Sequence, residues 1–585
     1  MRVALVLIGS LVAGTAPAQE RPPAPLPPPA VPGHDWRTAG RDPAATRFSP
    51  LDQITADNLV RLEEAWRFDT GIAGPHEGGP LVVDSVMYLH TPFPNQVFAL
   101  DLREPGRVLW QYTPPVSRIP PATGGRDIGS RGLAWHPSGI IYVPILPGDL
   151  AALDARTGRE IWRVRNADAR LGASMSSAPL VAGDVVVVGM AGSEYGVRGY
   201  LSGYRAANGQ LLWRGSSTGS DAELLLNGAA NVNYLSHAGR NLGVNSWPGE
   251  AWRTGGGTTD GWLSWDPELG LVYAGTGAPA PWQATLRPGE SKWTSAIVAR
   301  EVATGRVRWA YQLTPGDAWG YGAESENILA DLQISGQPVK ALIHIGRNGF
   351  AYTLDRTTGR ILAVERAGPV NWASAIDRST AIPSVNPRFL PGTVGTTRGI
   401  CPATVGLKGG APAAFSPASG LVFAPVLNFC MDVRPATPRF QPGVPSLGAT
   451  WQFTAGPGGA RGRLIAWDPA AGAIRWEARE SLPILGGTLV TASGLVFYPT
   501  SDGWLKAVDA LNGRELWRQK LPAPSVGTPM TYLGPDGRQY LAILTGPGGW
   551  PAVDDFGSLP DLPWSTAATG LLVVFALPPV APVPE

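Results

Sequence analysis

The sequence has few of the residues from which haem, zinc and nucleotide sites are built. Only two cysteines occur among 585 residues, and neither lies in a C-x-x-C-H motif, which excludes a covalently attached c-type haem. The six histidines are scattered without H-x-x-x-H or H-E-x-x-H spacing, which argues against a zinc site. A Walker loop is also missing. The common metal and nucleotide motifs therefore do not explain this chain.

The chain also lacks an excess of charge of one sign, and it lacks long apolar runs. Lys and Arg number 47 against 46 Asp and Glu, so nothing in the charge attracts nucleic acid or an anionic membrane surface. The apolar run Val3–Val12 is too short to cross a bilayer, and no later segment is long enough. We therefore expect no transmembrane segment and no nucleic-acid partner.

The N-terminus has the pattern of an export signal. Arg2 supplies the positive end, Val3–Val12 the apolar run, and the A-x-A site ends at Ala18. We expect a signal peptide over residues 1–18, cleavage near Ala18, and a periplasmic or secreted product; the alternative is a buried N-terminal strand. Residues 19–33 are proline-rich and predict an extended tether. Residues 34–585 are predicted to form one domain.

Glycine (74), proline (58) and tryptophan (22) are abundant, and the tryptophans end a repeated unit. In LAALDARTGREIW, an alternating strand is followed by a turn from Asp154 to Gly158 and a second strand that ends in Trp162. Neighbouring units mostly lie about 40–50 residues apart, as blades of a propeller do. The copies end at Trp66, Trp110, Trp162, Trp213, Trp309, Leu362, Trp476 and Trp517.

These eight copies predict an all-β, eight-bladed β-propeller. One four-stranded sheet cannot bury both of its faces, so the units must stack, and radial stacking gives a propeller. Two stacked sandwiches are the alternative, but they have no such tryptophan periodicity. The pair Cys401 and Cys430 is expected to form a disulfide in an exported protein, with two free buried thiols as the alternative.

The segments between the repeats resemble the PQQ-dependent (quinoprotein) alcohol and methanol dehydrogenases. Similar stretches include the opening segment Asp35–Gly71 and the motifs RGLAW, GSEYGVRGYLSGY, GGGTTDGWLSWDP, RNGFAYTLDRTTG, ICPATVG, NFCMD and GPGGWPAV. Together they cover nearly all of the predicted mature chain in the family's order. The resemblance implies a central funnel that holds pyrroloquinoline quinone (PQQ) on a calcium or lanthanide ion, and a small alcohol as substrate. It also implies a separate electron acceptor such as a periplasmic cytochrome.

Several family site positions carry matching residues here. The resemblance implies a metal ligand at Glu194, and contacts to PQQ from Arg131, Ser176 and Arg347. It also implies that Trp550 lies close to the cofactor. Cys401 and Cys430 match the family's structural disulfide.

Other family positions are replaced, and those positions carry the chemistry. The metal-binding Asn position is Ala278, the catalytic Asp position is Gly320, and the lanthanide-marking Asp falls at Gly322. Asp260 stands where the family has its stacking Trp, and Gly125-Arg126 aligns with its vicinal Cys-Cys. Hard cations prefer six to eight oxygen ligands, and loss of a positioned base costs about 10²–10⁴-fold in rate.

Three hypotheses follow for the function. The first is a quinoprotein alcohol dehydrogenase with a divergent site, in which Glu324 or Glu326 could replace the lost base; the alternative for both is a solvated loop carboxylate. The second is a non-catalytic propeller that binds a protein, peptide or small ligand. The third is a different enzyme that uses Glu194 and Asp260. Fold alone does not decide among them.

Overall fold

The computed structural model describes residues 35–116, 129, 131–226, 231–232, 235–236, 240–546 and 569–579. The predicted signal peptide, tether, Gly125-Arg126 and Trp550 lie outside these residues. Within them the chain is almost entirely β-structure, as predicted, with two single-turn α-helices at Asp221–Leu224 and Leu242–Asn245. Short 3-10 helices lie at Leu59–Arg61, Ala169–Leu171, Ser193–Tyr195, Ala251–Thr254, Ala284–Leu286 and Pro387–Phe389.

The described strands form eight sheets that each contain four antiparallel strands, here called sheets A to H; sheet G carries a fifth strand in addition. The sequence repeats predict eight blades, and this blade count stays a prediction. Sheets A to D comprise Leu81–Val83, Val86–His90, Val97–Asp101 and Arg107–Tyr112 (A); Ala134–His136, Ile140–Ile145, Asp149–Asp154 and Glu160–Arg165 (B); Leu180–Ala182, Val185–Val188, Tyr200–Arg205 and Leu211–Ser216 (C); and Ser264–Asp266, Leu271–Gly275, Ala296–Glu301 and Val307–Gln312 (D).

Sheets E to H follow in the same order. They comprise Ile328–Ile334, Gln337–Ile345, Phe350–Asp355 and Ile361–Arg366 (E); Ala414–Ser416, Leu421–Leu427, Gly462–Asp468 and Ala473–Glu480 (F); Leu489–Thr491, Leu495–Pro499, Trp504–Asp509 and Glu515–Lys520, with Phe48–Ser49 added in parallel (G); and Met530–Leu533, Gln539–Leu544, Thr569–Ala576 and Glu63–Ala73 (H).

Smaller sheets form in the excursions between repeats. They comprise Asn231–Val232 with Leu235–Ser236, Ala373–Ile376 with Pro383–Val385, and Thr397–Ile400 with Phe429–Pro435 and Ala449–Ala455. The Cys401–Cys430 disulfide, which the sequence predicts, joins the last of these sheets to its neighbouring loop. In the described part of the chain, no helix has the length and apolarity needed to cross a membrane.

The repeated hairpin turn has the chemistry that its sequence predicts. In sheet B, Asp154 Oδ1 accepts hydrogen bonds from the backbone N–H groups of Arg156 (3.0 Å) and Thr157 (2.9 Å). Gly158 closes the turn at φ +71°, a left-handed conformation that other residues rarely adopt. The turn is therefore fixed locally, before any contact with a neighbouring sheet.

The repeated tryptophan fastens a sheet to the next one at five junctions among the described residues. Trp213 Nε1 in sheet C donates to the carbonyl of Val302 in sheet D at 2.8 Å, and its ring covers the turn glycine Gly305. The same donation joins Trp110 to Ala155, Trp162 to Ala206, Trp309 to Arg356 and Trp476 to Ala510. Because consecutive sheets are linked in this way, the stack curves into the predicted β-propeller.

The two ends of the described chain close the ring. Glu63–Ala73, near the N-terminus, pairs antiparallel with Thr569–Ala576 to complete sheet H. Phe68 of this strand then packs edge-to-face on Phe98 of sheet A, with ring centroids 5.3 Å apart. Sheet H, the last sheet, therefore packs against sheet A, the first one.

Candidate functional site

A cavity of about 920 Å³, its open mouth included, is formed by loops of five consecutive sheets, B to F. We call this cavity the funnel. It brings together predicted site residues from segments far apart in the sequence. Its lining residues are Arg131, Gly192, Ser193, Glu194, Thr258, Asp260, Trp262, Ala278, Trp282, Gly320, Glu324, Ser325, Arg347, Gly409, Gly410, Leu447 and Trp451.

Arg131, which is predicted to contact a ligand, is held by two acidic residues. Its Nε donates to Glu77 Oε2 at 3.1 Å, and its Nη1 donates to the backbone carbonyl of Asp260 at 2.6 Å. The Asp260 carboxylate lies 3.9 Å from the same Nη1. The guanidinium is therefore oriented, but part of its charge is balanced by the protein itself.

Ser176 lies beside the funnel and not on its described wall. The residue is 3% exposed, and its backbone carbonyl accepts a hydrogen bond from the Arg131 N–H at 3.1 Å. Its neighbour Ser177 donates from Oγ to the backbone carbonyl of Asp260. Both serines therefore support the loops that carry Arg131 and Asp260.

Asp317 shapes the loop that holds the two replaced acidic positions. Its Oδ1 accepts from the backbone N–H of Gly320 at 3.0 Å, and its Oδ2 accepts from that of Gly322 at 2.9 Å. Both glycines have positive φ angles, +76° and +56°. Asp317 thus has a structural role in this loop.

At Gly320, where the resemblance places the family base, the space for a side chain is already filled. A Cβ atom on Gly320 would lie 2.7 Å from Thr404 Oγ1 and 2.8 Å from Trp282 Cε2. Cβ atoms essentially never approach other heavy atoms that closely. Position 320 therefore has no room for a side chain in this conformation.

Glu324 places a carboxylate in the funnel next to the second glycine. Its Oε1 atom would lie 2.8 Å from a Cβ atom on Gly322. Its Oε2 atom is buried and makes no hydrogen bond to the described residues. The pKa of Glu324 is raised to about 7, chiefly by burial; the Arg347 guanidinium lowers it and the Asp260 carboxylate raises it.

Two hydroxyl groups lie close to Glu324, and one of them is hydrogen-bonded to Asp260. Ser193 Oγ and Thr258 Oγ1 are 2.8 Å apart, and Thr258 Oγ1 donates to Asp260 Oδ1 at 3.3 Å. A Cβ atom on Gly277 would lie 2.8 Å from Ser193 Oγ, 3.1 Å from Thr258 Oγ1 and 2.9 Å from Glu324 Oε1. Oxygen atoms of these side chains therefore converge on one side of the funnel, around a glycine that leaves room for them.

Glu326, the other candidate for a substitute base, belongs to the protein core and not to the funnel wall. It is 4% exposed, and its Oε2 lies 3.1 Å from Lys408 Nζ, which is completely buried. Its Oε1 accepts from the backbone N–H of Ala413 at 2.9 Å. Both carboxylate oxygens are thus used for structure, so Glu326 is not available as a base.

The remaining predicted site residues are placed as follows. Glu194 lies in the 3-10 turn Ser193–Tyr195 on the funnel wall, and its backbone carbonyl accepts from Ser446 N–H at 2.7 Å. Arg347 lines the funnel and donates from Nη2 to the Thr404 carbonyl at 2.8 Å. Ala278 also lines it, and offers no side-chain oxygen. Trp550 lies outside the described residues.

Sequence reasoning missed the aromatic wall. Trp282 and Trp451 stack with ring centroids 4.9 Å apart and an interplanar angle of 30°. Trp262 adds a third indole, whose Nε1 donates to the Gly410 carbonyl at 2.8 Å. The only signal for Trp282 is its position four residues after Ala278, within GTGAPAPWQ.

Comparison with known sequences gives one consistent result. The profile described as "Glucose/ethanol/alcohol dehydrogenase, beta-propeller domain", of the PQQ type, matches residues 36–381 and 461–541. The chain is 42% identical over 564 residues to a lanthanide-dependent methanol dehydrogenase of Methylacidiphilum fumariolicum, covering 93% of this chain and 92% of that one. It is 40% identical to methanol dehydrogenase (cytochrome c) subunit 1 of Paracoccus denitrificans, covering 92% and 87%.

Solved structures agree with the sequence comparison. A europium-containing methanol dehydrogenase superposes with a TM-score of 0.90 at 41% identity, covering 93% of this chain and 98% of that one. A quinohemoprotein alcohol dehydrogenase from Comamonas testosteroni superposes with a TM-score of 0.82 at 33% identity, covering 94% and 82%.

Proposed function

Because this chain belongs to the family of PQQ-dependent alcohol dehydrogenases, we propose that it is a periplasmic, dehydrogenase-like propeller whose funnel binds a ligand without oxidising an alcohol. The observation that carries this proposal is the closed space at Gly320. Thr404 and Trp282 stand where the side chain of a family base would begin. A positioned base is worth about 10²–10⁴-fold in rate, so its replacement by a filled space argues against the family reaction.

The residues present do not fit the family's metal ion. A hard cation takes six to eight oxygen ligands, with carboxylates supplying the charge. Ala278 and Gly320 supply no side-chain oxygen, and the carboxylate of Glu324 approaches from a different residue of the loop. No group of three His, Cys, Asp or Glu side chains in the described residues is arranged to hold a metal ion.

The funnel also fits PQQ poorly. The resemblance implies a flat indole under the cofactor, and Asp260 stands at that position with a carboxylate. Arg131, which would bind the cofactor's carboxylates, is already held by Glu77 and by the backbone of Asp260. An anionic cofactor would therefore meet the Asp260 and Glu324 carboxylates without the cation that offsets such charge in the family. We derive no catalytic step through PQQ.

The periplasmic part of the proposal is supported by the predicted signal peptide and by the disulfide. Cys401 and Cys430 are bonded, and structural disulfides persist mainly in oxidising compartments. Fractionation of cells that produce the full chain tests this part, with N-terminal sequencing of the released protein. We expect the mature protein to begin close to Gln19.

Titration of the purified protein with PQQ, in the presence of calcium or lanthanum, tests the central proposal. We expect no saturable cofactor binding and no alcohol-dependent dye reduction. The methanol dehydrogenase of Methylacidiphilum fumariolicum, treated in parallel, is the positive control. Stoichiometric PQQ binding with alcohol turnover by this chain would overturn the proposal.

One observation favours a second candidate, a quinoprotein alcohol dehydrogenase with a relocated base. Glu324 is buried in the funnel with its pKa raised to about 7, and a general base works best when its pKa lies near the operating pH. The substrate would then be a small alcohol, and a separate carrier such as a periplasmic cytochrome would take the electrons. The same assay distinguishes this candidate, because its turnover would be lost in Glu324→Gln and retained in the surface variant Asp57→Asn.

A further inference from the structure

A second cavity lies away from the funnel, at the other end of the first strand of sheet B. Arg131 of the funnel precedes the strand Ala134–His136, whereas Pro137, which lines the second cavity, follows it. Because a strand rises about 3.3 Å per residue, about 20 Å of chain separates the two sites. The second cavity has a volume of about 1420 Å³, its open mouth included, and we call it the groove.

The N-terminal part of the described chain, residues 36–49, runs past the first strands of six sheets, and we call it the collar. Its backbone joins sheets A, B, D, E, F and G in turn, at Val82, Ala134, Trp265, Leu329, Phe415 and Val490. No backbone hydrogen bond between described residues joins the collar to sheet C. The groove lies at this gap, because Val181 and Gly183 of sheet C form part of its wall.

Two indole rings and two polar atoms without a partner line the groove. Trp135 and Trp265 are partly exposed there. Trp265 Nε1 is buried and has no hydrogen-bond partner among the described residues, and the same holds for Thr38 Oγ1. An indole N–H usually finds an acceptor when it is buried. The groove therefore suits a ligand that combines apolar rings with hydrogen-bond acceptors.

The wall beside Trp135 balances its own charge. The Arg37 guanidinium lies 4.7 Å from the centroid of the Trp135 ring, and Arg37 Nη2 forms an ion pair with Asp35 Oδ2 at 2.6 Å. Arg37 therefore covers one face of the ring while Asp35 offsets its charge. A ligand that packs on these indoles does not need a charge of its own.

The chain itself carries a segment with these properties directly before the groove. Residues 21–32, which lie outside the described residues, read RPPAPLPPPAVP and contain seven prolines. Prolines have no backbone N–H, so the carbonyl groups of a polyproline II segment are free to accept, and aromatic grooves bind such segments in many proteins. Only Gly33 and His34 separate this segment from Asp35, which lines the groove.

We propose that the groove binds residues 21–32 of the same chain in a polyproline II conformation. Proline rings pack against Trp135 and Trp265, and one carbonyl oxygen accepts from Trp265 Nε1. The sequence alone predicts an extended tether here, whereas the groove makes the segment a strap that fastens the N-terminus to the propeller beside sheet C. This site is separate from the funnel, so the inference does not depend on the proposed function.

Isothermal titration calorimetry with a synthetic peptide of residues 19–32 tests the proposal on two proteins. One is the unmodified mature chain. The other, the serine variant, has the same length and carries Pro22→Ser, Pro23→Ser, Pro25→Ser, Pro27→Ser, Pro28→Ser and Pro29→Ser. We expect the peptide to bind the serine variant with 1:1 stoichiometry. It should bind the unmodified chain at least about 10-fold more weakly, because the chain's own segment competes at an effective concentration of about 1 mM.

Two substitutions in the serine variant locate the site, and a third is the matched control. Trp265→Phe keeps an aromatic ring but removes the Nε1 donor, and should weaken peptide binding by about 3–10-fold. Trp135→Leu removes one ring and should weaken it by at least about 10-fold, with folding checked by circular dichroism. Trp504→Leu should leave affinity unchanged, since Trp504 also lies beneath cationic side chains, those of Arg518 and Lys520, but in sheet G.

A peptide with serine at the same six positions is the ligand control and should bind neither protein. Equal binding of the two peptides, or no binding of the proline-rich peptide to the serine variant, would overturn the inference. Equal affinity of that peptide for both proteins would do so too, because the groove would then be open to a segment of another protein.

Sedimentation at several protein concentrations distinguishes the chain's own segment from that of a second copy. We expect both proteins to have the same oligomeric state at every concentration. Dimers of the unmodified chain that the serine variant does not form would place the segment in a neighbouring copy, and would overturn the intramolecular inference. The PQQ titration decides the proposed function separately, whatever the peptide does.

Discussion

The carboxylate of Glu324 occupies the space into which a side chain at Gly322 would grow. Its Cδ and Oε1 atoms lie 2.7 and 2.8 Å from the place of a Cβ atom on that glycine. An acidic residue at position 322, as in lanthanide enzymes of the family, could therefore not coexist with Glu324 in its present conformation. The carboxylate of this loop is therefore supplied by Glu324, two residues after Gly322.

The closed space at Gly320 makes that residue sensitive to any side chain. Gly320→Ala should destabilise the protein by about 2–4 kcal/mol, because the new Cβ atom collides with Thr404 and Trp282 and the backbone has φ +76°. Gly336→Ala is the matched control, since Gly336 has φ +75° with nothing within 4 Å of its Cβ position. The control should cost only about 1 kcal/mol of backbone strain. Thermal unfolding measures both, and equal costs would show that position 320 has room.

The fold could be predicted from sequence because its determinants are local and repeated. Asp154 and Gly158 fix a turn within five residues, and Trp162 follows at a constant distance. Each of these positions recurs in other units, so one interpretation explains many segments. The docking of each tryptophan on the next turn follows from the size of the indole and its single N–H donor.

The site could be predicted only in part, because its shape depends on contacts between distant segments. The sequence predicts that Gly320 replaces the family base, but it does not predict that Thr404, 84 residues further on, fills the space for a side chain there. Glu324 and Glu326 look equivalent in sequence. Only the folded structure distinguishes their roles, because Glu326 forms an ion pair with the buried Lys408, whereas Glu324 lines the funnel. Charge pairing of this kind has no local signature.

The repeated tryptophans that join neighbouring sheets lead to a stability prediction for Trp213, at the boundary between sheets C and D. Trp213→Phe should destabilise the protein by about 2–3 kcal/mol, because it removes the N–H bond to Val302 and part of the ring that covers Gly305. Trp504→Phe is the control, since Trp504 is half-buried and should cost less than about 1 kcal/mol. Urea unfolding followed by circular dichroism measures both. A Trp213 variant as stable as the control would contradict the conclusion that the repeated tryptophans hold neighbouring sheets together.

The buried pair of Lys408 and Glu326 is expected to be structural. Lys408→Met should destabilise the protein by about 3–5 kcal/mol, because it leaves the Glu326 carboxylate buried without its cation. Adding Glu326→Gln should recover most of the loss, because the amide oxygen can still accept from Ala413 N–H. Thermal unfolding of the single and double variants measures the coupling. If the two effects simply add, the pair does not act as a unit.

The disulfide gives a redox-dependent prediction. Cys401 and Cys430 are 29 residues apart, and closing a loop of that length stabilises a fold by about 3–4 kcal/mol in the chain-entropy model. The double variant Cys401→Ala, Cys430→Ala should therefore unfold at a lower temperature than the oxidised protein. Reduction of the unmodified protein should lower its unfolding temperature toward that of the variant. The unfolding temperature of the variant itself should not change with reductant. A response of the variant would point to an effect unrelated to the disulfide.

Glu324 should make stability depend on pH, with a defined sign. Its pKa is raised from 4.5 to about 7, so the folded state holds a proton that the unfolded chain releases. The stability from this group is complete below about pH 4.5 and is lost as pH rises through about 7. Glu324→Gln resembles the protonated form, so it should match the unmodified protein near pH 4.5 and exceed its stability by about 2–3 kcal/mol at about pH 8. Scanning calorimetry at both pH values, with Asp57→Asn as control, measures the difference. A variant with the same pH dependence as the unmodified protein would mean that Glu324 is ionised in the folded state throughout, and that its carboxylate has a partner in solution.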